Sequence, residues 1–303
     1  MTCRVLITGG SGLLALNWAL ALRGSCDVTL GLHTRSSVFG GVKARRLSLD
    51  SIDRLRQEMD ETEPNIVIHA AGLASVEQCE DNPTLARFVN VDLAKNVATV
   101  CAEKGIALVH ISTDHLFSGD RQMVGETEPV EPKNVYGMTK AEAEIRVLEA
   151  KPDALVVRTN FFGWGPTYRH SFSDLVVDAL QSGREVTLFT DVYYTPILAE
   201  TLALATHQLL EHKVSGICNV SGNDRISKHE FGCRLAGRFG LDSGLIKAGT
   251  LSGRTGLVSR PFDMSLSNRK LRACGIEVGG VDHHVDRLFQ QEKCGDAREI
   301  RQL

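Results

Sequence analysis

The run Arg4-Val5-Leu6-Ile7-Thr8-Gly9-Gly10-Ser11-Gly12-Leu13-Leu14-Ala15 decides how the rest of the chain is read. A short apolar stretch of strand character meets a glycine-rich turn, and an apolar stretch of helical length starts behind it. Glycine is required where backbone turns tightly or must touch a pyrophosphate, and Ala15 supplies a third small residue where helix and strand come close. The first helical turn then offers free N–H groups and a positive dipole end to phosphate oxygens. A glycine triplet alone also suits a plain strand-to-helix turn. Its place at the head of an alternating pattern favours a dinucleotide site, with Gly9, Ser11, Gly12, Leu13 and Leu14 as contacts.

The pattern continues outward from that turn. Strands are expected at 4–7, 28–32, 65–69, 106–111 and 154–157, and helices near 12–23, 52–60, 83–104 and 136–150. Near-continuous Val/Ile/Leu strands separated by helices predict a parallel sheet covered on both faces. Pro64 and Gly105 precede two of the strands and suit helix-to-strand turns. The expected fold is α/β, a doubly wound, Rossmann-like parallel sheet. Beyond about residue 160 the alternation loosens, and glycine, proline and aromatic residues crowd 161–166. The expected division is a dinucleotide-binding domain over 1–164 with return segments at 196–221. A smaller α/β substrate-binding region takes 165–195 and 222–303, with a cleft at the carboxyl ends of the strands.

Composition narrows the partners. The 303 residues carry 34 Lys plus Arg against 37 Asp plus Glu, a formal charge of −3, with 43% hydrophobic residues. Such a balance lacks the basic field expected of a nucleic-acid or anionic-membrane binder. No apolar run reaches the roughly 18 residues of a membrane span; the longest, 13–22, is interrupted by Asn17. Eight cysteines include no Cys-x-x-Cys pair and no zinc-ligand spacing, which suits reduced thiols. With a strand almost at the first residue, no room for a signal peptide is expected, and the predicted location is cytoplasmic.

The second strand runs out into His33-Thr34-Arg35 without the acid that usually holds a ribose 2′-hydroxyl. A guanidinium pairs with a 2′-phosphate instead, so NADPH is expected, with NADH the alternative. His33 and Arg35 join the cofactor contacts. Asp50 either reaches the adenine or caps the next helix.

Tyr136-Gly137-Met138-Thr139-Lys140 opens a helix, and its i to i+4 spacing puts Tyr136 and Lys140 on one face. A nearby ammonium favours tyrosinate, so a lowered phenol pKa is expected, which suits an acid or base. Ser112-Thr113-Asp114 ends a long strand, where the Thr113 hydroxyl projects toward the cleft and can donate to an oxygen developing negative charge. The glycine loop, the strand-end hydroxyl and the Tyr/Lys pair form one constellation.

With these motifs the chain resembles an extended short-chain dehydrogenase/reductase, most closely the dTDP-4-dehydrorhamnose reductase branch. Further stretches carry the resemblance: His69-Ala70-Ala71-Gly72, Val76-Glu77-Gln78-Cys79-Glu80-Asp81-Asn82-Pro83, Val89-Asn90, Pro132-Lys133-Asn134-Val135-Tyr136-Gly137 and Arg260-Pro261. It implies hydride transfer from a nicotinamide cofactor to the 4-keto group of a nucleotide-linked 6-deoxy sugar. In that picture Tyr136 protonates the oxygen, Lys140 binds the nicotinamide ribose, and Thr113 positions the keto group beside Asp114. Ala70, Ala71 and Gly72 line the cofactor, and Asn90 steadies the helix beneath the site or is a satisfied buried amide. A homodimer is the expected assembly.

The chain also departs from that branch. His115 stands near a position where the branch commonly has tyrosine, and reads as a surface-loop histidine with a substrate contact as alternative. Phe161 replaces a tryptophan near the sugar, with Trp164 three residues on, keeping an apolar face without the indole N–H. Arg260 is expected to hold the substrate diphosphate, against a structural ion pair. Asp282-His283-His284 lacks the spaced partners of a metal site, and no metal is expected. A 4,6-dehydratase is disfavoured because Asp114 is followed by His115 where a second carboxylate is needed. A nucleotide-sugar epimerase and a non-catalytic NADP-binding subunit, like the regulatory subunit of methionine adenosyltransferase, are the alternatives.

Overall fold

In the computed structural model, which describes residues 3–35, 39–254 and 256–303, β1 (Arg4–Thr8) buries Val5, Leu6 and Ile7. A strand buried on both faces needs parallel neighbours on each side and helices above and below. It finds them in β2 (Asp27–Leu32) and β4 (Ile66–His69), both parallel to it; β3 (Lys43–Arg46) extends one edge. On the other side lie β5 (Ala107–Ile111) and β6 (Leu155–Arg158). The chain then leaves this sheet for β7 (Phe161–Phe162), β8 (Val186–Phe189), β9 (Tyr193–Tyr194) and β10 (Ile197–Leu198), and returns as β11 (Gly216–Asn219). The result is a seven-stranded parallel sheet ordered β11-β6-β5-β4-β1-β2-β3, the doubly wound α/β fold expected from the sequence. Strand order reverses between β1 and β4, where such sheets open a crevice at their carboxyl ends.

Alternation along β1 sends its side chains to opposite layers. Leu6 joins a core built with α2 (Ile52–Thr62), α5 (Leu93–Glu103) and α6 (Val135–Ala150). Val5 and Ile7 join the other core, against α1 (Leu13–Leu22) and α8 (Ala199–Glu211). The stretch expected as one helix over 83–104 is three pieces: α4 (Pro83–Arg87), a π-helical turn at Phe88–Asp92, and α5. A further helix, α3 (Val76–Asp81), is capped by Ser75, whose side chain accepts from the Gln78 amide.

Outside the sheet, β7 pairs with β10, β9 with β12 (Ile226–Ser227), and β8 with β13 (Ile246–Gly249). Against these pack α7 (Phe172–Gln181), α9 (Lys228–Phe239) and α11 (Val281–Cys294), while α10 (Arg269–Ala273) lies on β11 and α12 (Asp296–Arg301) on α11 and α1. Phe162, Tyr194 and Phe172 set their rings against Phe231. Among the described residues no helix is long and apolar enough to cross a membrane. The eight cysteines are all free.

Candidate active site

The glycine loop takes its shape from one close approach. Gly9 has φ +68°, and a Cβ there would stand 2.8 Å from the Cα of Ala71. No side chain larger than hydrogen allows the loop to lie on the end of β4 in this way. The ends of β1 and β4 are also tied by polar groups. Thr8 Oγ1 hydrogen-bonds His69 Nδ1 at 2.9 Å and accepts from the Ala71 amide at 3.2 Å. α1 begins at Gly12 with no side-chain cap, so its first amides are left for an anion.

A cavity of about 580 Å³ runs from Gly9, Ser11 and Gly12 to His33, Arg35 and Asp50, with Ala70, Ala71 and Gly72 as a wall. A second cleft of about 360 Å³ shares Gly9, Gly12 and the Ala70–Gly72 wall, and continues past Leu13 and Leu14 to Thr113, Asp114, Tyr136, Lys140 and Phe161. The elongated, jointed shape, with glycine amides at the joint and a guanidinium at one end, fits a phosphorylated dinucleotide. Asp50 lines the cavity and does not cap the following helix; Ser51 does, through its side chain and the Arg54 amide.

Thr113, Tyr136 and Lys140 stand on rigid supports. Asn134 caps α6 by accepting from the Gly137 amide at 2.8 Å, and its Nδ2 donates to Ser259 O at 2.9 Å. A Cβ at Gly137 would lie 2.4 Å from His115 O, so the helix start presses directly on the loop after β5. Lys140 donates to Ile111 O at 2.7 Å and faces His110 Nε2 at 3.3 Å. One turn on, Glu144 accepts from Ser112 Oγ at 2.6 Å and forms a buried ion pair with Arg158 at 2.7 Å. Asn90, carried on the π-helical turn, accepts from the Leu73 amide and donates to Leu73 O and Thr139 Oγ1. It is thus a satisfied buried amide and a strut beneath α6 at once.

Protonation follows from burial. The Tyr136 phenol is pushed up to about 12 by burial, against the opposing pull of a hydrogen bond with Thr113. The expectation of a phenol lowered by Lys140 is therefore corrected: desolvation of tyrosinate outweighs any ammonium nearby. Lys140 is pushed down to about 8 by burial, with Glu144 opposing. Thr113 donates to Asp114 at 3.2 Å and accepts from the His115 amide at 3.2 Å; the other Asp114 oxygen accepts from Asn160.

The side of the cleft facing the sheet's supports carries the remaining residues. His115 is not a surface-loop histidine: it is partly buried, its ring edge-on to Tyr136 at 5.5 Å between centroids. It also lines a third cavity of about 310 Å³, shared with Asn160 and Phe172 and reaching Lys228 and Arg260. Arg260 lines that cavity and is ion-paired with Glu77. Lys228 was not singled out from the sequence. Its ammonium lies 3.3 Å from the Tyr194 ring centroid and 4.8 Å from that of Phe172, and among the described residues it makes no ion pair. Nothing in Ser227-Lys228-His229 signals this, because the surrounding rings come from elsewhere in the chain. Phe161 lines the cleft, whereas Trp164 is buried and donates to Leu288 O at 3.3 Å. Among the described residues no cluster of His, Cys, Asp or Glu forms a metal site.

Comparison with known proteins agrees with this fold. The profile of the family described as RmlD substrate binding domain matches residues 3–293. The probable low-salt glycan biosynthesis reductase of Haloferax volcanii is 29% identical over 262 residues, covering 84% of this chain and 86% of the relative. Methionine adenosyltransferase 2 subunit beta of Xenopus laevis is 28% identical, covering 90% and 83%. The crystal structure of dTDP-4-dehydrorhamnose reductase from Bacillus anthracis, in complex with NADP, shares the fold with a TM-score of 0.85 at 24% identity, covering 96% of this chain and 100% of that one.

Proposed function

The chain belongs to the RmlD substrate binding domain family, an oxidoreductase of the extended short-chain dehydrogenase/reductase type, and on that premise we propose that it uses NADPH to reduce the 4-keto group of a nucleotide-linked 6-deoxy sugar. The observation that carries the reading is the meeting of Thr113, Tyr136 and Lys140 in one cleft that is continuous with the glycine-loop cavity. Residues 1–164 and 196–221 hold the cofactor in this reading, and most of the remainder shapes the substrate side. Our proposal puts the reaction in the cytoplasm.

The bound cofactor supplies the two electrons and the hydrogen that reach the carbonyl carbon. The chain supplies the proton and the geometry. Tyr136, its phenol held up near 12, keeps its proton at neutral pH and donates it to the keto oxygen. The Thr113 hydroxyl, whose bond to Asp114 is long, turns its hydrogen to the same oxygen and shares the developing charge. Lys140, held by Ile111 O and His110, keeps an ammonium in the helix that bears Tyr136, where it steadies the phenolate left behind. Phe161 offers an apolar face to the sugar, and Lys228 a cation to its diphosphate.

Nicotinamide absorbance measured with a panel of 4-keto nucleotide sugars tests the reading, with NADPH consumed by at least one of them. Firm NADPH binding without turnover on any sugar favours a non-catalytic binding subunit. The likeness to methionine adenosyltransferase 2 subunit beta keeps that second reading in play.

A further inference from the structure

We infer that the loop at 166–170 is a strap over the bound dinucleotide, in which Tyr168 sets Arg35 against the 2′-phosphate and Arg169 holds the diphosphate. The inference rests on the cofactor reading above and assigns two residues to it that no sequence motif marks.

The loop is pinned at its base. A single oxygen of buried Asp174, Oδ2, accepts from the amides of Gly165 and Ser171, each at 2.8 Å. The Ser171 hydroxyl in turn accepts from the Asp174 amide at 2.9 Å, closing a capping box at the start of α7. Just before the loop, Asn17 of α1 donates to Trp164 O at 2.7 Å. Five residues therefore arch from a fixed base that is tied to the phosphate-binding helix itself.

The arch then reaches across the cofactor cavity. Tyr168 donates to Ser11 O at 2.9 Å, inside the glycine loop, and its ring lies 4.4 Å from the Arg35 guanidinium carbon. A guanidinium stacked on a ring keeps its N–H edge free for bidentate bonding to a phosphate. Tyr168 so holds in one orientation a long, exposed side chain that would otherwise lose rotamer freedom on meeting the ligand. Arg169 lines both cavities at their junction, beside Gly9 and Gly12, and among the described residues makes no ion pair. The joint between the two cavities is where the diphosphate of a dinucleotide bound along them belongs. An arginine on the side opposite the α1 amides completes a two-sided anion grip.

The two residues carry separable signatures, because NADPH and NADH share the diphosphate and differ in the 2′-phosphate. Dissociation constants for both are measured by quenching of protein fluorescence on the full chain. Tyr168→Ala weakens NADPH by about five- to tenfold and NADH by less than about twofold, while Tyr168→Phe, which keeps the ring, retains most of the preference. Arg169→Met weakens both by about tenfold, and Arg169→Lys recovers part of each. Parallel loss of both cofactors in Tyr168→Ala, or no loss in either, overturns the role of Tyr168. An unchanged affinity in Arg169→Met, or a loss confined to NADPH, overturns that of Arg169. Arg35→Ala separates the strap from the reading beneath it: an unaltered preference there refutes the 2′-phosphate contact itself. Loss of preference in Arg35→Ala with none in Tyr168→Ala refutes only the strap.

Discussion

The sheet side and the loop side of the cleft hold their functional groups by different means. Thr113, Tyr136 and Lys140 sit at the end of β5 and the start of α6, locked by Asn90, Asn134 and a buried Glu144–Arg158 pair whose side chains are 5% and 2% exposed. Lys228, Arg260, Tyr168 and Arg169 come from the chain beyond residue 165 and are held by ring faces, a half-exposed ion pair with Glu77, or a pinned loop. The groups proposed to react thus rest on buried supports that cannot move without unfolding something, while those proposed to recognise ligands rest on contacts worth about 1 kcal/mol each. Such a division lets ligand preference change while the proton-transfer geometry stays.

The largest effect tests the sheet side directly. Tyr136→Phe lowers kcat/KM by about 10²- to 10⁴-fold and leaves NADPH affinity nearly intact; turnover close to that of the parent chain would remove Tyr136 as the acid. Next comes the buried pair. Arg158→Met leaves Glu144 charged and buried and costs about 3–5 kcal/mol in urea unfolding, whereas Arg260→Met costs about 0–1 kcal/mol. Equal losses would erase the contrast between the two sides.

Acid acts on buried histidines on both sides. Burial pushes His69 down to about 3, and His207 and His284 down to about 4. Above pH 6.5 these rings are neutral folded or unfolded and add no pH dependence. As pH falls from 6.5 toward 4 the unfolded chain takes up protons that the folded chain refuses. Stability then falls by about 1.4 kcal/mol per pH unit for each excess proton. His69 lies at the carboxyl end of β4, so His69→Gln flattens the acid limb measured by thermal melting; an unchanged slope would show that His69 is not a group through which acid acts. The smallest effect belongs to the second region. Lys228→Met raises KM for the nucleotide sugar about tenfold and leaves kcat within about twofold, and a fall in kcat of similar size would move Lys228 to the chemistry.

Much of the sheet side was legible in the sequence because its signals are local. The glycine loop, the strand-end Ser112-Thr113-Asp114 and Tyr136 four residues before Lys140 are constrained by turn geometry and helical spacing, which neighbouring residues dictate. The π-helical turn at Phe88–Asp92 was not legible, since its aim of Asn90 at Leu73 and Thr139 depends on α6 packing across it. The Tyr136 proton was misjudged for a related reason: spacing shows which groups are near, but burial decides which form they prefer.

What the sequence by itself determined is the alternating pattern, and with it the parallel sheet, the cleft at the carboxyl ends of its strands and the residues at its edge. Only the tertiary structure decided that Arg260 pairs with Glu77, that Lys228 stands between two rings, and that Tyr168 crosses to Ser11 and Arg35. Each of those contacts joins residues more than thirty positions apart. Periodicity constrains partners a turn or a strand away, whereas contacts at that distance exist only once distant parts of the chain have packed together.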